Sequence, residues 1–319
     1  MRSQDPSANS LSPLTADPRY LATFLGNFDS LTPENELKML FTEPTEGTFD
    51  FAPADSLVSL AAANGKQVRG HTLIWSDELP AWLTNPLLPW SPGGLLDVMR
   101  QYITTVMQHY GRQIDTWDVV NEAFQDDGSY TQSVWYDVLG PSYIADAYAI
   151  AHQADPAAKL FYNDIGAEAN NPKQQAILSM VNALRAQGVE IDGIGMENHT
   201  NAPGYPTDPQ LEQTMSQYAQ LGLRVEITEM DVETQGTAPA DALTAQADAY
   251  RAAATACWDV AACDRFTTWG FSDAVSWVGA QQAADLFDTN FQPKPAFAAV
   301  DGALFRGAFA PPVPAAARH

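Results

Sequence analysis

Short runs rich in β-branched and aromatic residues alternate with longer, Ala-rich stretches along almost the whole chain, and this alternation restricts the fold more than any other feature. The strand-like runs are Phe28–Pro33, Gln67–Trp75, Ile114–Glu122, Lys159–Asp164, Ile191–His199, Arg224–Asp231 and Arg265–Asp273. Between them lie helical stretches: Pro53–Asn64, Gly94–Tyr110, Ser142–Ala154, Pro172–Gln187, Pro209–Leu221 and Ala240–Cys257. Several start just after Pro, Ser or Asp, and several stop at a glycine such as Gly65, Gly111, Gly188 or Gly222, as helix termini prefer. Units of this kind, roughly 30 to 47 residues apart, predict a parallel sheet with helices outside. Eight of them close a TIM (β/α)8 barrel, an α/β fold of about 250 residues or more. An open doubly wound sheet fits less well, because no G-x-G-x-x-G follows an early strand.

Seven strands are visible where closure needs eight. The absent one belongs before Phe28, yet Met1–Ala16 is polar and rich in Ser and Pro. The expectation is therefore a barrel whose first strand is poorly represented or missing, with an open seam and an exposed edge beside the Glu34 strand. No linker divides the chain. Residues 1–16 read as an irregular N-terminal segment, 17–307 as one catalytic barrel and 308–319 as a flexible tail.

Polar residues gather at the C-terminal ends of the apolar runs, which in a barrel converge on one face. They are Glu34, Asn35 and Lys38; His71 and Trp75; Asn121 and Glu122; Asn163 and Asp164; Glu197 and His199; Glu229 and Asp231; Trp269 and Asp273. Any one has a plain structural explanation as a helix cap, a surface carboxylate or a core ring. Seven strands all ending this way do not. Glu122 and Glu229 stand out. Two carboxylates at one barrel mouth, one protonated and one ionised, can cleave a glycosidic bond, the acid assisting the leaving oxygen while the carboxylate attacks the anomeric carbon. Asn121 is placed to hydrogen-bond a sugar 2-hydroxyl, and His199 held by Asp231 is placed to orient Glu229. Trp75, Trp269 and Trp277 suit pyranose faces.

Charge narrows the partner. With 39 acidic against 16 basic residues the net charge is −23, which disfavours nucleic acid, and no apolar run is long enough to cross a membrane. His71, His199, Glu229 and Asp273 are residue types that could ligate a metal, but no H-x-H or H-E-x-x-H spacing supports it, so neither metal nor cofactor is expected. Cys257 and Cys263 fit no zinc pattern; the residues alone leave two buried thiols and a short-loop disulfide both open. Met1–Pro13 lacks the basic flank and apolar core of a signal peptide.

Thr32-Pro33-Glu34-Asn35-Glu36-Leu37-Lys38, Gly70-His71-Thr72-Leu73-Ile74-Trp75, Trp117-Asp118-Val119-Val120-Asn121-Glu122 and Ile227-Thr228-Glu229-Met230-Asp231 resemble glycoside hydrolase family 10. So do Thr268-Trp269-Gly270-Phe271-Ser272-Asp273 with Ser276-Trp277, Leu286-Phe287-Asp288 and Pro293-Lys294-Pro295. The family consists mainly of retaining endo-β-1,4-xylanases on a TIM barrel. The resemblance implies Glu122 as general acid/base, Glu229 as nucleophile, and Asn35, Lys38, His71, Trp75 and Asn121 as sugar contacts, with Trp269 and Trp277 as aromatic walls. Glu34 and Glu197 join them as expected substrate-binding residues. It also implies a Cys257–Cys263 disulfide and hence secretion. The expected partner is a polysaccharide or oligosaccharide, handled by a monomer.

Three departures bear on the substrate. Trp75-Ser76-Asp77-Glu78 stands where xylanases usually show Trp-His-Ser-Gln, Glu197-Asn198-His199 replaces Gln-Ser-His, and Asn163-Asp164-Ile165-Gly166 replaces Asn-Asp-Tyr-Asn. Glu197 should raise the pKa of one carboxyl beside it through like-charge repulsion. The same mechanism on another β-linked glycoside, such as a plant saponin or β-glucan, and a non-catalytic carbohydrate-binding barrel are the alternative readings.

Overall fold

The computed structural model describes residues 12–87, 89–234 and 240–305. Its strands are β1 (Ser30–Leu31), β2 (Gln67–Gly70), β3 (Thr116–Asn121), β4 (Lys159–Asp164), β5 (Gly193–Met196), β6 (His199–Asn201), β7 (Arg224–Glu233) and β8 (Cys263–Thr268). All pair in parallel, in the order β1-β2-β3-β4-β5-β7, with β8 on the far side of β7. β6 continues the line of β5 against the end of β7, so the wall has seven staves. Helices Ala52–Ala63, Pro92–Tyr110, Ser142–Ala154, Pro172–Ala186, Asp208–Gln220 and Ala240–Asp259 alternate with the strands. These helix boundaries match the sequence reading to within about two residues, as the caps lead one to expect.

The sequence reading overruns several strands. β2 stops at Gly70 instead of Trp75, β8 at Thr268 instead of Asp273, and Ile191–His199 divides into β5 and β6. In each case the apolar pattern continues into a loop that is itself buried, as at Leu73 and Ile74, so hydrophobicity outlasts the ladder.

Among the described residues the expected first strand has no counterpart: the helices Pro13–Ala16 and Pro18–Asn27 precede Phe28, and no ladder joins β1 to β8. A cavity of about 1030 Å³ opens along that seam, lined by residues including Phe28, Leu31, Phe266, Thr268 and Phe271. Of the expected irregular segment, residues 1–11 fall outside the described residues, as does the tail 308–319.

Elsewhere the barrel interior is close-packed, with small residues facing large ones. A Cβ on Gly70 would lie 2.1 Å from the Trp117 ring, and one on Gly193 would lie 2.3 Å from Phe161. Gly195 matters most for the site, because a Cβ there would lie 2.1 Å from Asn163 Oδ1.

Candidate active site

The floor of the site is a buried ion network. Arg69, on β2, points into the barrel and donates from Nε to Asp118 Oδ2 at 2.9 Å and from Nη1 to Glu226 Oε2 at 2.6 Å, while its Nη2 also donates to Asp118. Burial works against the Arg69 charge, but the two carboxylates more than offset it. Burial likewise pushes the Asp118 carboxyl up, yet Arg69 and His71 hold it below the ordinary range. Asp118 lies 3.1 Å from His71 Nδ1, and that nitrogen is 3.5 Å from Glu229 Oε1. A line of ionisable groups in contact, Arg69, Asp118, His71 and Glu229, thus runs from the barrel interior up to the site.

Glu229 projects from the middle of β7 and is almost fully buried. His199 Nε2 lies 3.2 Å from its Oε2, and His199 Nδ1 lies 2.8 Å from Asp231 Oδ2, because β6 pairs with β7 so that His199 registers against Asp231. Asp231 also accepts from Trp277 Nε1 at 2.5 Å. Burial alone would depress the His199 pKa, but Asp231 and Glu229 raise it from 6.5 to about 10, so the ring is a cation. Burial pushes the Glu229 carboxyl up in turn; His71 and His199 outweigh it and keep Glu229 ionised below its ordinary value.

Glu122 follows the last residue of β3 with a left-handed φ of 51°, a conformation disfavoured for a side chain this size and concentrated at functional sites. Trp75 Nε1 donates to its Oε2 at 2.9 Å. Burial raises the Glu122 pKa above 4.5; the Trp75 bond opposes this and the Glu229 charge adds to it. The two glutamates are therefore pushed in opposite directions, one toward acid and one toward base.

Asn163, at the end of β4, ties the strands together. Its Oδ1 accepts from Thr228 Oγ1 at 2.7 Å, which turns its Nδ2 toward Glu229 Oε1 at 2.8 Å, Asn121 Oδ1 at 2.9 Å and Glu197 Oε1 at 3.0 Å. Glu197 is thus a near neighbour of Glu229, as expected. Burial lifts its carboxyl well above 4.5, and Glu229 and Glu122 add to the rise.

Other expected contacts line the mouth. Lys38 Nζ lies 3.2 Å from Asn35 Oδ1 and 4.9 Å from the Trp75 ring centroid. Glu34 approaches Gly270 at the seam side. Trp277 is 44% exposed and fits an aromatic wall, whereas Trp269 is only 7% exposed and packs edge-on against His71 with ring centroids 5.2 Å apart. Asp273 is paired with Lys294 at 3.1 Å, away from the catalytic carboxylates. Cys257 and Cys263 form a disulfide closing the turn before β8. The sequence reading does not single out Arg69, Glu226 or Thr228, and it names Asn163 only as a strand-end residue. A charge inside an apolar strand, as in Val68-Arg69-Gly70, is the signal that marks the first of these.

Among the described residues Glu197, His199 and Glu229 bring ligand-type atoms within 4.8 Å of one another, close enough for a metal ion. His199 already bridges Glu229 and Asp231 and Glu197 is held by Asn163, so the trio is also complete as a hydrogen-bonded carboxylate cradle.

The model of glycosyl hydrolase family 10 matches residues 6–303. The chain belongs to that family. Endo-1,4-beta-xylanase B of Thermotoga neapolitana is 37% identical over 287 residues, spanning 88% of this chain and 82% of that protein. Exoglucanase XynX of Acetivibrio thermocellus is also 37% identical, and there the chain spans only 26% of a much longer protein. Among solved family 10 structures, xylanase 10B from Thermotoga petrophila RKU-1 in complex with xylobiose superposes with a TM-score of 0.88 at 36% identity, over 93% of this chain and 92% of that one. The seven-stave wall is thus similar to the family's (β/α)8 barrel.

Proposed function

We propose that the protein is a retaining endo-β-1,4-xylanase in which Glu229 is the nucleophile and Glu122 the general acid/base. One observation carries the assignment: the two carboxyls have opposite electrostatic environments, with Glu229 held between two imidazoles and Glu122 pushed toward its neutral form. Glu197 is the other glutamate near Glu229, but it is 2% exposed and bound to Asn163, whereas Glu122 is half-buried and open to the mouth. The leaving oxygen needs an acid it can touch.

In the first step Glu229 attacks the anomeric carbon as the glycosidic C–O bond breaks, and Glu122 gives its proton to the departing oxygen. A covalent glycosyl–enzyme results, and Glu122 is left as a carboxylate. In the second step that carboxylate takes a proton from water, the water oxygen attacks the anomeric carbon, and Glu229 leaves with net retention. His71 and His199 stabilise Glu229 whenever it carries its charge. Asn121, Lys38, Asn35, Trp75 and Trp277 hold the sugars. Reducing-sugar release from xylan tests the proposal: wild type should be active and Glu229→Ala should not, and activity surviving the substitution would refute it.

A second reading keeps the mechanism and changes the glycan. It rests on the departures at Ser76, Glu78 and Glu197, to which the structure adds Ile165, a 37% exposed apolar side chain one residue beyond β4. A panel of xylan, β-glucan, plant saponins and aryl glycosides separates the readings, and binding without turnover would indicate a carbohydrate-binding barrel instead. The disulfide favours work in an oxidising, extracellular setting, and the site is assembled within one chain, so a monomer suffices. Localisation of a tagged full-length protein and its mass in solution test these two points.

A further inference from the structure

Asn163 Nδ2 carries two hydrogens yet faces three acceptor oxygens: Glu229 Oε1, Asn121 Oδ1 and Glu197 Oε1. Turning Asn163 around would aim its Oδ1 at two carboxyls, whereas in the present orientation that oxygen accepts from Thr228 Oγ1 at 2.7 Å. Asn121 is caught in consequence. In one orientation its terminal oxygen lies 3.3 Å from both Glu197 Oε1 and the Asn163 carbonyl oxygen; in the other its terminal nitrogen donates to both of these but lies 2.9 Å from Asn163 Nδ2. Either way two like atoms meet, unless a hydrogen is supplied from a third group. A hydrogen on Glu197 Oε1 turns the oxygen–oxygen contact with Asn121 into a hydrogen bond. Glu197 then accepts from Asn163 and donates to Asn121 Oδ1, which fixes the Asn121 amide with its NH2 directed away from the carboxyl cluster.

We propose that Glu197 works in its protonated form as a positioning residue, donating to Asn121 Oδ1 so that the Asn121 NH2 is presented to the substrate while Asn163 stays on Glu229. The proposal rests on Glu122 and Glu229 being the catalytic pair. The charged groups around Glu197 are consistent with a neutral acid. Glu229 on β7, Glu122 and Asp118 on or just after β3, and Asp164 on β4 are acidic. His199 Nε2, 4.0 Å from Glu197 Oε2, is already 3.2 Å from Glu229, and His71 is bound to Asp118. Both imidazoles lie closer to other carboxylates than to Glu197, whose hydrogen-bond partner is the Asn163 amide.

Three readouts test it. Infrared difference spectra of wild type against Glu197→Gln should show a protonated-carboxyl C=O stretch near neutral pH that only the wild type has; finding only carboxylate bands would overturn the proposal. Glu197→Ala should lower kcat on xylan by about 30-fold with a smaller change in KM, since a 2-hydroxyl contact strengthens in the transition state, and Glu197→Gln should recover about tenfold of that loss. A Gln variant no better than Ala would count against it. The limbs of the kcat/KM–pH profile should coincide for wild type and Glu197→Gln; a fall of about half a pH unit or more in both limbs of the Gln variant would mean that an ionised Glu197 had been removed. Glu229→Ala is measured alongside. Activity in that variant would break the catalytic assignment, whereas the infrared band reports on Glu197 regardless of it.

Discussion

At the barrel mouth Glu229 touches His71, His199 and Asn163, each of which is held by a further partner. At the seam the same wall runs out of partners: Thr267 Oγ1 and Arg265 Nη1, both on β8, are buried without a hydrogen bond among the described residues. The contrast shows where this chain has retained order. Apart from Trp269 and Trp277, which follow β8, the residues around the catalytic carboxyls sit on β2 through β7 or the turns leaving them, a continuous set of ladders. The seam separates β8 from β1, whose only contribution to the mouth is the loop carrying Glu34, Asn35 and Lys38. Chemistry and closure are therefore separable, and substitutions in the two regions should behave differently.

The largest effect belongs to the mouth. Glu229→Ala should reduce kcat on xylan by about 10⁴-fold or more with little loss of stability, and a loss under about tenfold would dissolve the distinction between a reacting and a merely buried carboxylate. Glu122→Ala comes next, at about 10²- to 10⁴-fold on xylan. Its loss on an aryl xyloside with an acidic phenol should be far smaller, because that leaving group needs no proton; equal losses on both substrates would remove Glu122 from the acid role.

Below the mouth the same order should appear as stability. Arg69→Met strands Asp118 and Glu226 in the interior and should cost about 3–5 kcal/mol in denaturant unfolding. Ile227→Ala on closed β7 should cost about 2–5 kcal/mol. Phe266→Ala on β8 should cost clearly less than Ile227→Ala, since one side of that ring already faces the cavity. Matching losses for the pair would mean that the seam is as well packed as the rest. His199 adds a pH signature. Its folded pKa of about 10 lies above the unfolded 6.5, so its stabilisation is complete below pH 6.5 and fades as pH rises toward about 10. The stability gap between wild type and His199→Gln should shrink over that window, and a gap independent of pH would show that the ring is not charged. The smallest effect is in hydrogen exchange, where amides of β1 and β8 should exchange faster than those of β3 and β4.

Much of this was legible in the residues. The parallel α/β alternation was readable because helix caps and apolar runs are local signals, and the lack of a first strand among the described residues because Met1–Ala16 carries no apolar alternating run. Glu122, Glu229, His199 and Asp231 were readable as strand-end polar groups on a shared face. The role of Asn163 was not, because it depends on the register that sets β4 beside β3 and β5, bringing Asn121, Glu197 and Glu229 around one amide. The Arg69–Asp118–Glu226 network was hidden for the same reason: its members lie 49 and 157 residues apart and meet only inside the closed part of the wall. Strand ends were overrun where buried loops keep a strand-like pattern, as at Leu73 and Ile74.

The most direct measurement of the central claim is to trap the covalent intermediate with a 2-deoxy-2-fluoro-xylobioside carrying a good leaving group and to map the modified peptide by mass spectrometry. A single glycosyl adduct on Glu229, absent from Glu229→Ala, is the result this account predicts. An adduct on Glu122 or Glu197, or inactivation without any adduct, would contradict it.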